Sequence, residues 1–200
     1  MILMINGPFG VGKTSVAARL TKALPNAMLY DPEEVGYMLR NIVTEEVMHD
    51  SERTQDFQDL NLWRQLVVEV AGRLVKEYDR DLIIPMTLCN PDYFRYIRNG
   101  FERISPAVFH FCLTADYKTI HARLTKRGDE PGSWAFRQTE RCLKAYAEHP
   151  VLFETILQTD GLSEDEVCGR ILEGIRHDRP FFSASSSSSV LRASSRGAPN

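Results

Sequence analysis

Residues 7–14 read Gly-Pro-Phe-Gly-Val-Gly-Lys-Thr, which meets every defined position of the spacing Gly-x-x-x-x-Gly-Lys-(Ser/Thr). The chemistry of an anion cradle asks for this order. Gly7, Gly10 and Gly12 let the main chain wrap a phosphate in conformations that a side chain would obstruct. The N–H groups of the loop, through Phe9 and Val11 to Ser15 at the opening of the next helix, then point at the anion, and the helix dipole favours the same charge. Lys13 adds a flexible cation that follows the terminal phosphates. The Thr14 hydroxyl is a ligand for Mg2+, a hard ion that prefers oxygen. The expected occupant is a nucleoside triphosphate with its Mg2+. ATP is favoured over GTP because no Asn-Lys-x-Asp base-reading stretch occurs.

Working outward, the loop sits between a short apolar run, Ile2 to Ile5, and an amphipathic stretch from Thr14 to Leu24 with Val16, Leu20 and Leu24 on one face. The same alternation continues down the chain. Strands are predicted at 27–30, 82–88, 107–113 and 155–159. Helices are predicted at 33–40, 57–78, 90–103, 116–127, 134–147 and 163–175. Ser163 and Glu166 have capping-box spacing. Alternating strands and helices predict an α/β fold: a five-stranded parallel sheet flanked by helices. One domain over 1–179 is expected, with a glycine-containing lid at about 128–137. The serine-rich segment 180–200 is of low complexity and is expected to be a disordered tail.

Composition excludes several classes. Of 200 residues, 43% are hydrophobic and 26% charged, and the net charge of -3 offers no general affinity for nucleic acid. No apolar run approaches the ~20 residues of a membrane span. The first residues enter the loop motif without the apolar core of a signal peptide, so a cytoplasmic protein is expected. Cys89, Cys112, Cys142 and Cys168 are widely spaced and read as buried, inert thiols. The five histidines show no metal-ligand spacing.

As an order of elements, residues 1–176 resemble the small P-loop kinases of nucleotides, shikimate, gluconate and antibiotics. A closer resemblance, carried by INGPFGVGKT, LYDPEEVGYMLR, DFQDLNLW and IIPMTLCNPDYF, is to the tunicamycin-resistance family of ATP-binding proteins. The first resemblance implies a central loop strand and a mobile lid; the second implies ATP binding and a link to a nucleoside antibiotic.

Around the loop, Asp31 closes the second predicted strand, where a carboxylate either holds a magnesium-bound water or takes the acceptor's proton. Capping of the next helix is its plainer alternative. Glu33 and Glu34 read as helix-start acids. The third strand, LIIPMTL, ends without an acidic residue; Thr87 there offers a hydroxyl. Residues 121–128, His-Ala-Arg-Leu-Thr-Lys-Arg-Gly, resemble the helix-to-lid junction of adenylate and related kinases, which implies Arg123 over the adenine and Arg127 on phosphate, four residues apart on one helix face. Arg137 and Arg141 repeat that spacing as candidates for a lid clamp. Asp160-Gly161 is a candidate for shaping the adenine pocket. Phe57, Trp63, Tyr93, Phe94 and Tyr96 are candidates for lining an acceptor pocket but, as aromatics at helical spacing, are expected in the core, and Arg40 and Arg64 are weaker anchors for an anionic substrate. Two functions follow: transfer of the γ-phosphoryl of MgATP to a small-molecule hydroxyl, with Lys13, Asp31 and Arg127 as catalytic groups and tunicamycin or a nucleoside-like compound as acceptor, or ATP-dependent sequestration of such a drug without chemistry.

Overall fold

The computed structural model describes residues 1–177; the serine-rich segment expected to be a disordered tail lies outside the described residues. The strands are β1 (Ile2–Asn6), β2 (Ala27–Leu29), β3 (Asp81–Met86), β4 (Val108–Thr114) and β5 (Ile156–Gln158). The helices are α1 (Lys13–Ala23), α2 (Pro32–Ile42), α3 (Asn61–Tyr78), α4 (Pro91–Ile104), α5 (Tyr117–Arg127), α6 (Trp134–Glu148) and α7 (Glu164–His177). All strand pairs are parallel, in the order β2-β3-β1-β4-β5.

The two-residue period of β1 explains why helices must cover both faces. Ile2 and Met4 point into a core completed by Leu39 of α2, Trp63 and Val67 of α3, and Phe94 and Phe101 of α4. Leu3 and Ile5 point the other way, onto Val16 and Leu20 of α1, Leu124 of α5 and Ile171 of α7. β1 is flanked by β3 on one side and β4 on the other, so the connections diverge on either side of it. The crevice beyond their carboxyl ends is therefore the ligand edge of the sheet.

A proline inside β3 needs explaining, because Pro cannot donate to a ladder. Pro85 pairs with Ile5 of β1, whereas β2 pairs with β3 only as far as Ile83. Peptide groups alternate sides along a strand, so the missing N–H of Pro85 faces the side where β2 has already ended. No hydrogen bond is lost there.

The expected capping box is present: the Ser163 N–H donates to Glu166 Oε2 at 2.8 Å and the Glu166 N–H to Ser163 Oγ at 3.3 Å. The helix expected from 57 is not continuous. Phe57–Asp59 forms a separate 3-10 turn capped by Asp56, and α3 begins at Asn61. Two interactions break the period. The Asn61 N–H donates 2.8 Å to Glu52 Oε1, a cap supplied from nine residues upstream. The Phe57 ring packs onto Gly36 of α2, where a Cβ would lie 2.5 Å from a ring carbon.

Candidate functional site

The loop is held at its start by one buried amide. Asn6 Oδ1 accepts from the Gly7 N–H at 2.9 Å, the Leu88 N–H at 2.9 Å and the Tyr146 hydroxyl at 3.2 Å, while its Nδ2 donates to the Leu88 carbonyl at 2.9 Å. One side chain thus ties β1, the segment after β3, and α6 together at the mouth of the cradle. Gly7 has φ +149, and a Cβ there would sit 2.5 Å from the Leu113 carbonyl oxygen of β4. Gly12 differs in kind: its φ is +104, but nothing lies within 4 Å of a notional Cβ. Open space faces the loop at that point, as an anion against main-chain N–H groups requires.

That space is a cavity of about 360 Å³ lined by Phe9, Gly10, Gly12, Lys13, Thr14, Ser15, Asp31, Glu33, Pro85, Arg123 and Arg127. The sequence-derived set is brought together here, apart from Gly7, which packs against β4, and Val11, which lines an adjoining cavity. Lys13 donates 2.9 Å to the Pro8 carbonyl, and its ammonium lies 5.4 Å from the centre of the Phe9 ring. Burial pushes its pKa down to about 8. Thr14 is exposed at the head of α1, free to offer its hydroxyl to a hard cation beside Asp31. These oxygen donors fit Mg2+.

Asp31 meets both of its sequence-derived roles in geometry. Its Oδ1 accepts 2.9 Å from the Glu33 N–H, capping α2, and it also lines the phosphate cavity. Glu33, read from sequence as an ordinary helix-start acid, projects into that cavity as well. Burial, then the neighbouring Asp31 carboxylate, pushes its pKa up. Arg127 Nε is paired with Asp129 at 2.6 Å, a partly exposed ion pair that a phosphate can displace at small cost. Arg123 Nη1 reaches the Val11 carbonyl at 3.3 Å and Thr159 Oγ1 at 3.4 Å. It separates the phosphate cavity from a smaller one of about 280 Å³, lined by Val11, Val16, Thr159, Leu162, Glu164 and Val167. Asp160 instead accepts from the Asp116 N–H at 2.9 Å and from Gln158, tying β5 to α5 from outside that cavity.

A further cavity of about 270 Å³ adjoins the phosphate site and shares Phe9 and Glu33 with it. Its walls come from α2 (Tyr37, Arg40), the 55–59 segment (Asp56, Phe57, Gln58), the end of β3 (Thr87, Cys89), α4 (Tyr93) and α6 (Trp134, Gln138, Arg141). Phe9 meets Trp134 edge-on, centroids 5.1 Å apart. Thr87 is 6% exposed, and its hydroxyl has no hydrogen-bond partner. A buried hydroxyl left unpaired costs free energy that a ligand's polar group recovers. Burial raises the Asp56 pKa.

Three sequence expectations are corrected here. Phe57 and Tyr93 line this cavity instead of serving only as core, whereas Trp63 and Phe94 are core residues and Tyr96 is exposed. Arg141 faces this second cavity and Arg137 bonds the Gly132 carbonyl, so neither joins Arg123 and Arg127 at the phosphate site. Arg64 stacks on Tyr93 with its guanidinium 4.1 Å from the ring centre and does not line the cavity, while Arg40 does. Asp56, Gln58, Trp134 and Gln138 went unread. The one available signal was the helix-breaking pair Asp56 and Asp59 around Phe57.

The fold and the cradle define a P-loop protein with the fold shared by small-molecule kinases. The family model described as an AAA domain matches residues 3–143, and the chain belongs to that family. Among solved structures it is similar to the tunicamycin resistance protein of Deinococcus radiodurans, with 28% identity, a TM-score of 0.71, and coverage of 87% of this chain and 94% of that one. The gluconokinase of Sinorhizobium meliloti 1021 has 13% identity and TM-score 0.58, with coverage of 88% and 91%. The shikimate kinase of Acinetobacter baumannii has 13% identity and TM-score 0.57, with coverage of 90% and 94%. These two show the shared fold. No curated protein matches the sequence. Among the described residues, no helix is long and apolar enough to cross a membrane.

Proposed function

We propose that this chain moves the γ-phosphoryl of MgATP onto a hydroxyl of a small molecule bound in the aromatic-walled cavity, with tunicamycin or a nucleoside-like compound as the acceptor. One observation carries the reading: the phosphate cavity and the second cavity meet at Phe9 and Glu33. A carboxylate at that junction faces both the terminal phosphate and an incoming hydroxyl. Asp31 lines only the phosphate side, so the proton-accepting role first considered for it passes to Glu33, and Asp31 serves the metal.

In this mechanism the loop N–H groups and Lys13 hold the β- and γ-phosphates, and Arg127 leaves Asp129 to reach the transferring group. Thr14 and Asp31 would hold Mg2+, which would supply neutralising charge at the phosphate oxygens. The acceptor O–H gives its proton to Glu33, its oxygen forms the new O–P bond, and the bond from the γ-phosphorus to the bridging oxygen breaks to leave ADP. Catalysis of this type is positioning and electrostatic stabilisation. Arg123 braces the base-side cavity, and the segment between α5 and α6 closes over the site to exclude water.

Sequestration without chemistry is the second reading, favoured by the end of β3, Pro85-Met86-Thr87, which brings no carboxylate to the metal side. Mass spectrometry of tunicamycin after incubation with protein and MgATP separates the two. A gain of one phosphate is expected. Unmodified drug recovered in a tight complex would establish sequestration instead.

A further inference from the structure

Among the described residues, three hydroxyl-bearing side chains line the second cavity: Tyr37, Thr87 and Tyr93. Their partners differ. The Tyr93 hydroxyl donates 2.9 Å to Asp59 Oδ1, and the Thr87 hydroxyl has no hydrogen-bond partner. The Tyr37 hydroxyl donates 3.3 Å to Glu33 Oε2, the carboxylate that also lines the phosphate cavity. The contact follows from the helix: Glu33 and Tyr37 are four residues apart on α2, one above the other on a single face. The Tyr37 ring meets Phe57 edge-on, centroids 5.9 Å apart, and remains 47% exposed. The chain itself thus presents a hydroxyl to the carboxylate at the junction of the two cavities.

We propose that Tyr37 is a site of autophosphorylation: the chain moves the γ-phosphoryl of MgATP onto its own Tyr37 hydroxyl when no acceptor fills the second cavity. The inference rests on the phosphoryl transfer proposed above and adds an internal acceptor to the same site. Two features favour Tyr37 over the other hydroxyls. Its proton is already directed at the group assigned to take it, whereas Tyr93 is committed to Asp59 and Thr87 has no base bonded to it. Its exposure leaves room beside the phenol for a tetrahedral phosphoryl group, which the buried Thr87 lacks. Burial of its inner edge, then the Glu33 charge, raises the Tyr37 pKa above the ordinary phenol value. The phenol is therefore protonated at neutral pH and needs that base.

In the transfer step a rotamer change of the half-exposed side chain brings the phenol oxygen to the γ-phosphorus. Glu33 takes the phenolic proton, the oxygen forms the new O–P bond, and the bond from the γ-phosphorus to the bridging oxygen breaks to leave ADP. The proton on Glu33 then passes to solvent. The sum is one tyrosine and one ATP giving one phosphotyrosine, one ADP and one proton. The product dianion has partners on the same walls. Arg40 lies three residues beyond Tyr37 on α2, Arg141 faces the cavity from α6, and both guanidinium groups suit phosphate oxygens. A phosphate held there competes with an external acceptor for the cavity.

The test uses the full chain, cleared of any prior modification by a tyrosine phosphatase that is then removed. The protein is incubated with MgATP, with and without tunicamycin, and both the digested chain and the drug are mapped by mass spectrometry. One phosphate on the peptide that carries Tyr37 is expected, gained without tunicamycin at a first-order rate that dilution of the protein leaves unchanged. Tyr37→Phe should abolish that mark, and Glu33→Gln should slow it by roughly a hundred- to ten-thousandfold. Phosphate on tunicamycin with none on the chain would overturn the inference and leave the proposed function standing. Phosphate on neither would overturn the inference and count against the proposed transfer as well. A mark only on other residues, or a rate that scales with protein concentration, would also overturn it. The wild-type map decides the matter even if a variant fails to fold.

Discussion

The phosphate cavity and the proposed acceptor cavity share a wall but are built by opposite means. The first is made largely of main chain: a loop of eight consecutive residues, opened by glycines, with Lys13 and the head of α1 at its end. The second is made of side chains delivered by α2, the 55–59 segment, the end of β3, α4 and α6. Backbone recognition suits a ligand part common to every reaction of the fold. Side-chain recognition suits the part that varies. Changes to the first should therefore remove activity whatever the acceptor, and changes to the second should alter which acceptor binds.

The largest effect is expected for Lys13→Ala. Loss of the ammonium should lower turnover by on the order of a hundred- to a thousandfold for every acceptor, with the fold intact by circular dichroism. Unchanged turnover would remove Lys13 from the mechanism.

Next comes Glu33→Gln, at the junction. Removing a proton acceptor should slow transfer by roughly a hundred- to ten-thousandfold while calorimetry shows ATP binding nearly unchanged. If Asp31→Asn produces that pattern and Glu33→Gln does not, the division of labour proposed here is reversed.

Protonation distinguishes the cavities further. The free protein holds the Lys13 pKa at about 8, against an ordinary 10.5. Raising the pH through about 8 strips the ammonium that a polyphosphate needs, so ATP affinity should fall by up to about tenfold per pH unit above that point. The free fold responds in the opposite direction. Its lysine binds the proton less tightly than the unfolded chain's, so its contribution to stability improves as pH rises from about 8 to 10.5. Calorimetric titrations on either side of this window would expose a flat profile if Lys13 were fully solvated.

On the acceptor side, Thr87→Val deletes the unpaired hydroxyl and keeps its shape. Acceptor affinity should drop by about 1 kcal/mol, or roughly fivefold, with no change in ATP affinity. A drop in both would mean that Thr87 only supports the fold. The smallest direct effect on the site should follow Gly36→Ala, whose new methyl meets the Phe57 ring. It should cost about 1–3 kcal/mol of stability by thermal unfolding and weaken acceptor binding through the displaced ring. ATP binding measured at a temperature where the variant is folded should stay as it was.

Much of this molecule was readable from local pattern. The alternation of apolar runs with helical periods located all five strands, because buried parallel strands and amphipathic helices carry distinct periodicities. The capping box at Ser163 was legible for the same reason: its partners are three residues apart. The break between the Phe57–Asp59 turn and α3 was not legible because the residues that make it are remote. Glu52 caps α3 from outside, and Gly36 on another helix makes room for the ring. Glu33 was undervalued because an acid in a first helical turn already has an adequate local explanation in the helix dipole. Only its position between two cavities marks it out.

Sequence alone determined the anion cradle, since contiguous residues with obligatory backbone conformations carry their geometry with them, and it determined the layered sheet, since period-two burial on both faces permits little else. Tertiary structure decided the second cavity. Its members, from Phe9 to Cys142, meet only after the helices pack, and no spacing along the chain encodes a contact whose distance is set by the packing of other elements.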